Sequence, residues 1–548
     1  MTIITARDKG FAWHHRGHIH VKGYLFDAAE TFLRDASALD YFATVADADS
    51  LRDKLCEANG CFAVIVETDG HILAAVDSVR SIPLFYTIKN QELMLSDDVS
   101  EIHEQIGGCT IDPIAREEFL RVGYTVGPST LDPRIKQIEA GDLLVFETAS
   151  SQIKMSTYFS HAHGDYTDKS VEVLVGELDQ ITSRWARRLI RSAEGRTIVV
   201  PLSGGYDSRS IVCALKREGY PKVVCYSYGV LASYEHQVAS KVSTQLAYPI
   251  HVIEYNRQCW QTVLESPRFP QYCRFASQRC SVPHIQDVPA FEMLVERGNI
   301  PADSIVVPGF CGDLQGGSYV PPVMSEHLAK KVLSEGIDRY LLGTLFDLLT
   351  APVEPKTEQA LLSRINAFTR AFKADDIQEF CSVLENWFIR HKVARFVVNA
   401  VRVYEWYGHE WRLPLWDNEL IEWWYRIPLC HRVNSRLYHR FLFERLFNPM
   451  KVAFRKPRPP VCLTHLADRW LPAALIPPVK FIYKRVLTRP ISGVRPKPVD
   501  IDAFNDASLL LLQQCHRGQN LSDFGNINGV LAAWCDAFIT DRPANSDS

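Results

Sequence analysis

Two short stretches carry the residue types that handle phosphate. The first is Ser203-Gly204-Gly205-Tyr206-Asp207-Ser208, placed between an apolar run at 197–202 and a segment at 208–217 whose Ile211, Val212, Ala214 and Leu215 share one side. Read as buried strand, turn and helix, this puts a glycine turn on a helix N-terminus, where unpaired N–H groups and the helix dipole attract anions. Leu202 closes the strand. Gly204 and Gly205 let the backbone approach an anion with no Cβ in the way, and Ser203 and Ser208 bring hydroxyl donors. A carboxylate beside such a cradle repels its ligand unless a cation lies between them, so Asp207 implies Mg²⁺. No lysine follows the glycines as in a Walker loop, and the dinucleotide pattern Gly-x-Gly-x-x-Gly is missing.

The second stretch repeats the logic. A buried run, Ser304-Ile-Val-Val-Pro308, ends in Gly309-Phe-Cys-Gly-Asp-Leu-Gln-Gly-Gly317, again a strand feeding a glycine-rich turn with one aspartate, Asp313. Two carboxylates from adjacent strand ends, Asp207 and Asp313, can share one Mg²⁺ over a pyrophosphate. Further on, Lys451-Val-Ala-Phe-Arg-Lys-Pro-Arg-Pro-Pro460 forms a basic, proline-stiffened loop.

The elements that must position these residues follow from periodicity. A helix at 171–193 leads into the first strand; a second strand at 222–228, a helix beginning at Ser233 and a third strand at 249–254 come after it. Strand, helix, strand, helix, strand at this spacing predicts a parallel, doubly wound sheet. Ligands of such sheets lie at the carboxyl ends of the strands, which places Ser203 to Ser208, Tyr226-Ser227 and Pro308-Gly309 on one rim. Beyond residue 325 the pattern is mostly helical, at 326–333, 337–348, 358–372 and 377–401. Residues 1–155 read instead as packed antiparallel sheets, with strands at 18–26, 61–67, 71–76, 84–87 and 142–146 and helices at 28–37, 48–58 and 112–121.

Composition bounds the rest. The 548 residues suffice for two or three cores, and 47% hydrophobic with 23% charged residues is ordinary for a soluble globular chain. A formal net charge of -4 disfavours a nucleic-acid partner. The 14 cysteines are scattered without metal spacing, as expected of reduced thiols in a cytoplasmic protein. No signal peptide or membrane span is expected; the best apolar stretch, 470–487, is broken by three prolines and carries three basic residues. His14, His15, His18 and His20 lack a neighbouring cysteine or carboxylate and read as strand histidines instead of metal ligands. The tail from Arg542 is polar and reads as disordered.

The Ser203 to Ser208 string resembles the pyrophosphatase loop of the adenine-nucleotide α-hydrolase superfamily. Within that group the chain resembles asparagine synthetases and β-lactam synthetases: Gly60-Cys-Phe-Ala-Val, Ala75-Val-Asp-Ser-Val-Arg-Ser-Ile-Pro-Leu-Phe-Tyr86, the turn at Asp313, and Arg412-Leu-Pro-Leu-Trp-Asp417 are similar to segments of that family. The resemblance implies an N-terminal glutaminase-like domain of the Ntn-hydrolase type at 1–155 and an ATP-dependent ligase domain at 165–540. It also implies binding of MgATP, adenylation of a carboxylate, and transfer of the acyl group to ammonia or an amine. Tyr226 and Ser227 stand where the family holds adenine, and Lys456, with Arg455 and Lys451 as alternates, where a lysine stabilises the adenylate. A homodimer fits the same resemblance.

Four departures matter. Position 2 is Thr2 where the glutaminase nucleophile is a cysteine, and Lys22-Gly23-Tyr24 stands where a glutamine-holding Asn-Gly-Glu is expected. Phe310 and Leu314 replace two glutamates of the second turn. Free ammonia or a substrate amine is therefore the expected nitrogen source, and aspartate is not the expected acceptor. The second turn together with the aromatic residues at 404–424 looks most like asparagine-synthase-related proteins of surface-polysaccharide clusters, which implies a sugar carboxylate. Lactam or macrolactam formation, asparagine synthesis itself, and modification of RNA are the alternatives.

Overall fold

The computed structural model describes residues 2–4, 9–108, 110–231, 233–320, 326–455, 502–514 and 521–540, for some of these only the backbone. Lys456, the stretch 470–487 and the tail from Arg542 lie outside the described residues.

The chain is mixed α/β, with antiparallel pairing near its start and a parallel sheet further on. The larger early sheet runs Gln152–Thr157, Asp142–Glu147, His71–Val76, Asn59–Thr68, Ile19–Phe26, Trp13–Arg16, with Phe32–Arg34 also paired to Ile19–Phe26. Alternation along its strands divides two cores: Ile19, Val21 and Leu25 face the helices Asp35–Phe42 and Ala48–Glu57, while Tyr24 and Phe26 face inward. The smaller sheet orders Thr2–Ile4, Glu92–Ser96, Phe85–Lys89 and Lys136–Gln137. Its first pair is parallel, a correction to the purely antiparallel expectation.

The helix expected at 28–37 is a second correction. Residues 32–34 form a strand and the helix occupies Asp35–Phe42, because Phe32 and Leu33 pair with Phe26 and Leu25 before the chain turns. The helices Ala48–Glu57 and Pro113–Val122 start on Asp47 and Asp112, whose carboxylates accept from first-turn N–H groups.

The later sheet has five parallel strands in the order Ile250–Glu254, Val223–Gly229, Ile198–Pro201, Ile305–Val306, Glu410–Trp411. The fifth strand falls inside the aromatic stretch and was not expected from periodicity, being two residues long. Helix Val171–Ala193 matches its expected bounds, with Leu174, Leu178, Ile181 and Trp185 buried. The helix expected over 377–401 begins as Ile377–Trp387, widens to a π-helix at Phe388–Val397 and tightens to a 3₁₀ turn at Val398–Val401. One hydrophobic cluster joins the two sheet systems, from Phe11 and Tyr24 to Trp411 and Trp534.

Candidate active site

The chain leaves Ile198–Pro201 toward one edge, through Val223–Gly229 to Ile250–Glu254, then returns to the other side at Ile305–Val306. Strand order thus reverses between Ile198–Pro201 and Ile305–Val306, and the loops at their carboxyl ends diverge around a crevice. Those loops are the two glycine turns.

The turns touch through backbone. A Cβ on Gly309 would stand 2.4 Å from Ser208 N and 2.7 Å from its Cα. At Gly312 it would lie 3.0 Å from Asp207 Oδ1 and 2.5 Å from the Tyr438 hydroxyl. At Gly309, where the obstacle is backbone, only glycine admits this approach. Cys311, at φ +68°, turns the chain into the short helix Gly312–Gln315, which carries the Asp313 backbone; the Asp313 side chain lies outside the described residues. Pro308 is buried at the start of this turn, Leu314 is buried, and Phe310 is half-buried.

The loop helix begins at Tyr206, two residues before its expected start, so Asp207 sits inside the first turn. Its N-cap, Gly205, supplies no side-chain cap, whereas Ser170, Ser233 and Asn256 cap the helices that follow them. The cap residue itself therefore covers none of the first-turn N–H groups with a side chain. Ser203 Oγ accepts from Gly205 N at 3.0 Å, and Ser208 Oγ accepts from Ser203 N at 3.2 Å, so both hydroxyls shape the turn. Asp207 Oδ1 accepts from Tyr438 Oη at 2.8 Å. Leu202 is buried behind the turn.

A carboxylate already rests on this cradle: Glu235, in the first turn of helix Tyr234–Leu246, accepts from Gly204 N. The N–H of Gly204 is therefore already met by the chain's own carboxylate. Beside it a cleft of about 300 Å³ is bordered by Leu202, Ser203, Gly205, Tyr226, Ser227, Gly229, Glu235 and Phe504, among others. That is the lower end of the size range for a small-ligand site. The Tyr226 ring is buried against Phe291, while Tyr228, half-buried at the cleft, stacks on Tyr255 with centroids 5.1 Å apart and 16° between planes. The glycines, a helix start without a side-chain cap and Asp207 against the second turn are the groups here that could receive an anion and a cation. Among the described residues no group of three or more His, Cys, Asp or Glu gathers as a metal cluster.

Sequence reasoning missed Tyr438, Glu235 and Tyr228. Glu235 follows the cap Ser233 and was readable as a first-turn acid; Tyr438 is 231 residues from Asp207 and left no local signal.

Elsewhere the named residues do other work. The Arg455 guanidinium lies 4.4 Å from the Phe443 ring centre, and Phe443 packs on Tyr206 with centroids 5.6 Å apart. Lys451 is exposed at φ +57°. Thr2 pairs in register with Met94; its side chain lies outside the described residues. Lys22 Nζ contacts Asp97 Oδ2 at 2.7 Å, both buried, and Gly23 at φ +101° packs against Cys61 O. His14 lies 3.0 Å from Asp35, and His20 lies 3.6 Å from Glu67 with its pKa lowered, chiefly by burial. In the aromatic stretch, Arg412 stacks over Tyr24 at 4.2 Å and Asp417 accepts from Asn59 Nδ2 at 3.1 Å, so these residues join the sheet systems. Among the described residues no helix is long and apolar enough to cross a membrane.

No family profile matches the chain. It is 25% identical over 234 residues to "Asparagine synthetase [glutamine-hydrolyzing] 1" of Bacillus subtilis (strain 168), covering 41% of this chain and 34% of the relative. The match thus spans about a third of that relative's length, and it agrees with the asparagine-synthetase resemblance carried by the motifs. Solved structures include NH3-dependent NAD synthetase from Campylobacter jejuni, 15% identical, covering 36% of this chain and 97% of the other at a TM-score of 0.20. Glutamine phosphoribosylpyrophosphate amidotransferase from B. subtilis is 10% identical, covering 54% and 63%, at a TM-score of 0.17. At such scores no statement about this chain rests on these likenesses.

Proposed function

We propose that the chain is an ATP-dependent amide ligase. A substrate carboxylate oxygen attacks the α-phosphorus of ATP, pyrophosphate leaves, and an amine nitrogen then attacks the acyl carbon, loses a proton and displaces AMP. The observation that carries this reading is the contact of the two glycine turns at the strand-order reversal, with Asp207 between them. Gly204, Gly205 and the uncapped helix start would receive the phosphates, and the cleft at Tyr226, Ser227 and Tyr228 the base. Asp207 and Asp313 would hold Mg²⁺, whose chemistry is to neutralise the leaving pyrophosphate. Tyr438 keeps the Asp207 carboxylate oriented. Lys456, one residue beyond Arg455, takes the adenylate-stabilising role by sequence alone.

The early sheets are read as a glutaminase-like partner without its chemistry. Thr2 replaces the nucleophile, and Lys22 is spent on Asp97 where a glutamine-holding segment is expected. Ammonia or a substrate amine supplies nitrogen, and Phe310 and Leu314 favour an acceptor other than aspartate, a sugar carboxylate first.

The test is pyrophosphate release from MgATP with a panel of carboxylates, uronic-acid sugars and aspartate among them, with ammonium or glutamine as donor. Release should depend on the carboxylate, prefer ammonium, and vanish in Asp207→Ala. Release that survives Asp207→Ala would move the site elsewhere, and release that requires RNA would replace the ligase reading.

A further inference from the structure

Arg209 is fully buried, one turn into the loop helix, yet no carboxylate among the described residues pairs with it. Burying a guanidinium without a counter-charge is costly unless its donors are met. Here the Nη donors go to backbone carbonyls on two separate segments, while Nε has no hydrogen-bond partner among the described residues. Nη2 donates to Gly204 O at 2.9 Å, while Nη1 donates to Val452 O at 3.1 Å and to Phe454 O at 2.6 Å. The rings of Tyr206 and Phe447 flank the group at 5.3 and 5.0 Å.

The geometry points to Arg209 as a positioning residue that couples the phosphate loop to the start of the basic loop, at 452–454. Two consecutive glycines leave the Gly204–Gly205 peptide free to rotate. Its carbonyl is the one Arg209 holds, so its N–H, on Gly205, is kept turned toward Ser203 Oγ and the cradle. The same guanidinium fixes the carbonyls of Val452 and Phe454, and Arg455 follows directly. An anion drawn to the loop N–H groups polarises the Gly204–Gly205 peptide and strengthens its carbonyl as an acceptor, which tightens the hold on Arg209 and, through it, on residues 452–454. Lysine cannot reproduce this: it has no planar fork to span two segments at once. This inference rests on the nucleotide reading above.

Hydrogen–deuterium exchange tests it, with Mg²⁺ and α,β-methylene-ATP as the probe, on the wild-type chain, Arg209→Lys and Arg209→Met. In the wild type, saturating nucleotide should slow exchange at 202–208 and also at 446–455, at least fivefold in each. In both variants the loop should still respond at higher nucleotide concentration, while the effect at 446–455 is lost. Equal slowing at 446–455 in wild type and variants overturns the inference, as does a wild-type loop response with no change at 446–455. No wild-type response at 202–208 removes the nucleotide reading and this inference with it. If Arg209→Met fails to fold by circular dichroism, Arg209→Lys alone decides, by the same comparison.

Discussion

Asp207 shows how a partner distant in the sequence orients a site carboxylate. Its position in the first turn of a helix already favours a carboxylate, but its orientation comes from the Tyr438 hydroxyl at 2.8 Å, and the Tyr438 ring in turn packs on Gly316. Tyr438→Phe keeps that packing and removes only the donor. A hydrogen bond to a charged acceptor contributes roughly 1.5–3 kcal/mol, so kcat/KM for pyrophosphate release should fall about tenfold to a hundredfold, with the Mg²⁺ requirement shifted upward and the melting temperature little changed. Activity titrated against Mg²⁺ distinguishes this from a packing defect, which would lower the melting temperature and leave the Mg²⁺ midpoint in place.

The two turns, as elements, depend on glycines that do different things from those in ordinary helices. A Cβ on Gly309 would meet backbone, Ser208 N at 2.4 Å, and backbone cannot swing aside. Gly309→Ala should cost about 1–3 kcal/mol and separate the turns, so that melting temperature and pyrophosphate release fall together. Gly343, in helix Ile337–Leu345, has nothing within 4 Å of its would-be Cβ, and Gly343→Ala should instead raise stability by about 0.5–1 kcal/mol. The contrast separates a close-approach glycine from a merely helical one, read as two melting curves. This also marks what the sequence could carry. Strand Ile198–Pro201, its turn and helix Val171–Ala193 were legible because their apolar spacing and glycines are local. Strand Phe32–Arg34 reads as helix in the local sequence because only its pairing with Ile19–Phe26 makes it a strand. The Tyr438–Asp207 bond and the Arg209 bridge to Val452 span more than 200 positions, and no local pattern encodes such contacts.

At the scale of the whole molecule, charge joins the antiparallel and parallel sheets. Glu410, on the edge strand of the parallel sheet, meets Arg34 at 3.1 Å from the early sheet, Arg196 at 3.0 Å and Arg412 at 2.9 Å. Burial alone would raise the Glu410 pKa, but Arg412, then Arg196 and Arg34, outweigh it and hold the carboxyl at about 2, against 4.5 when free. A folded-state pKa below the unfolded one stabilises the fold fully above pH 4.5, and that stability drains away as pH falls toward 2. A shift of this size corresponds to on the order of 3 kcal/mol. Glu410→Gln should therefore be less stable than wild type by about that amount at pH 7 in urea unfolding, and the gap should narrow steadily below pH 4.5 as the wild-type carboxyl protonates. A gap of constant size from pH 7 to pH 2.5 would mean that the side chain contributes shape instead of charge, because the ionic part must vanish once both chains carry a neutral group between the same three arginines.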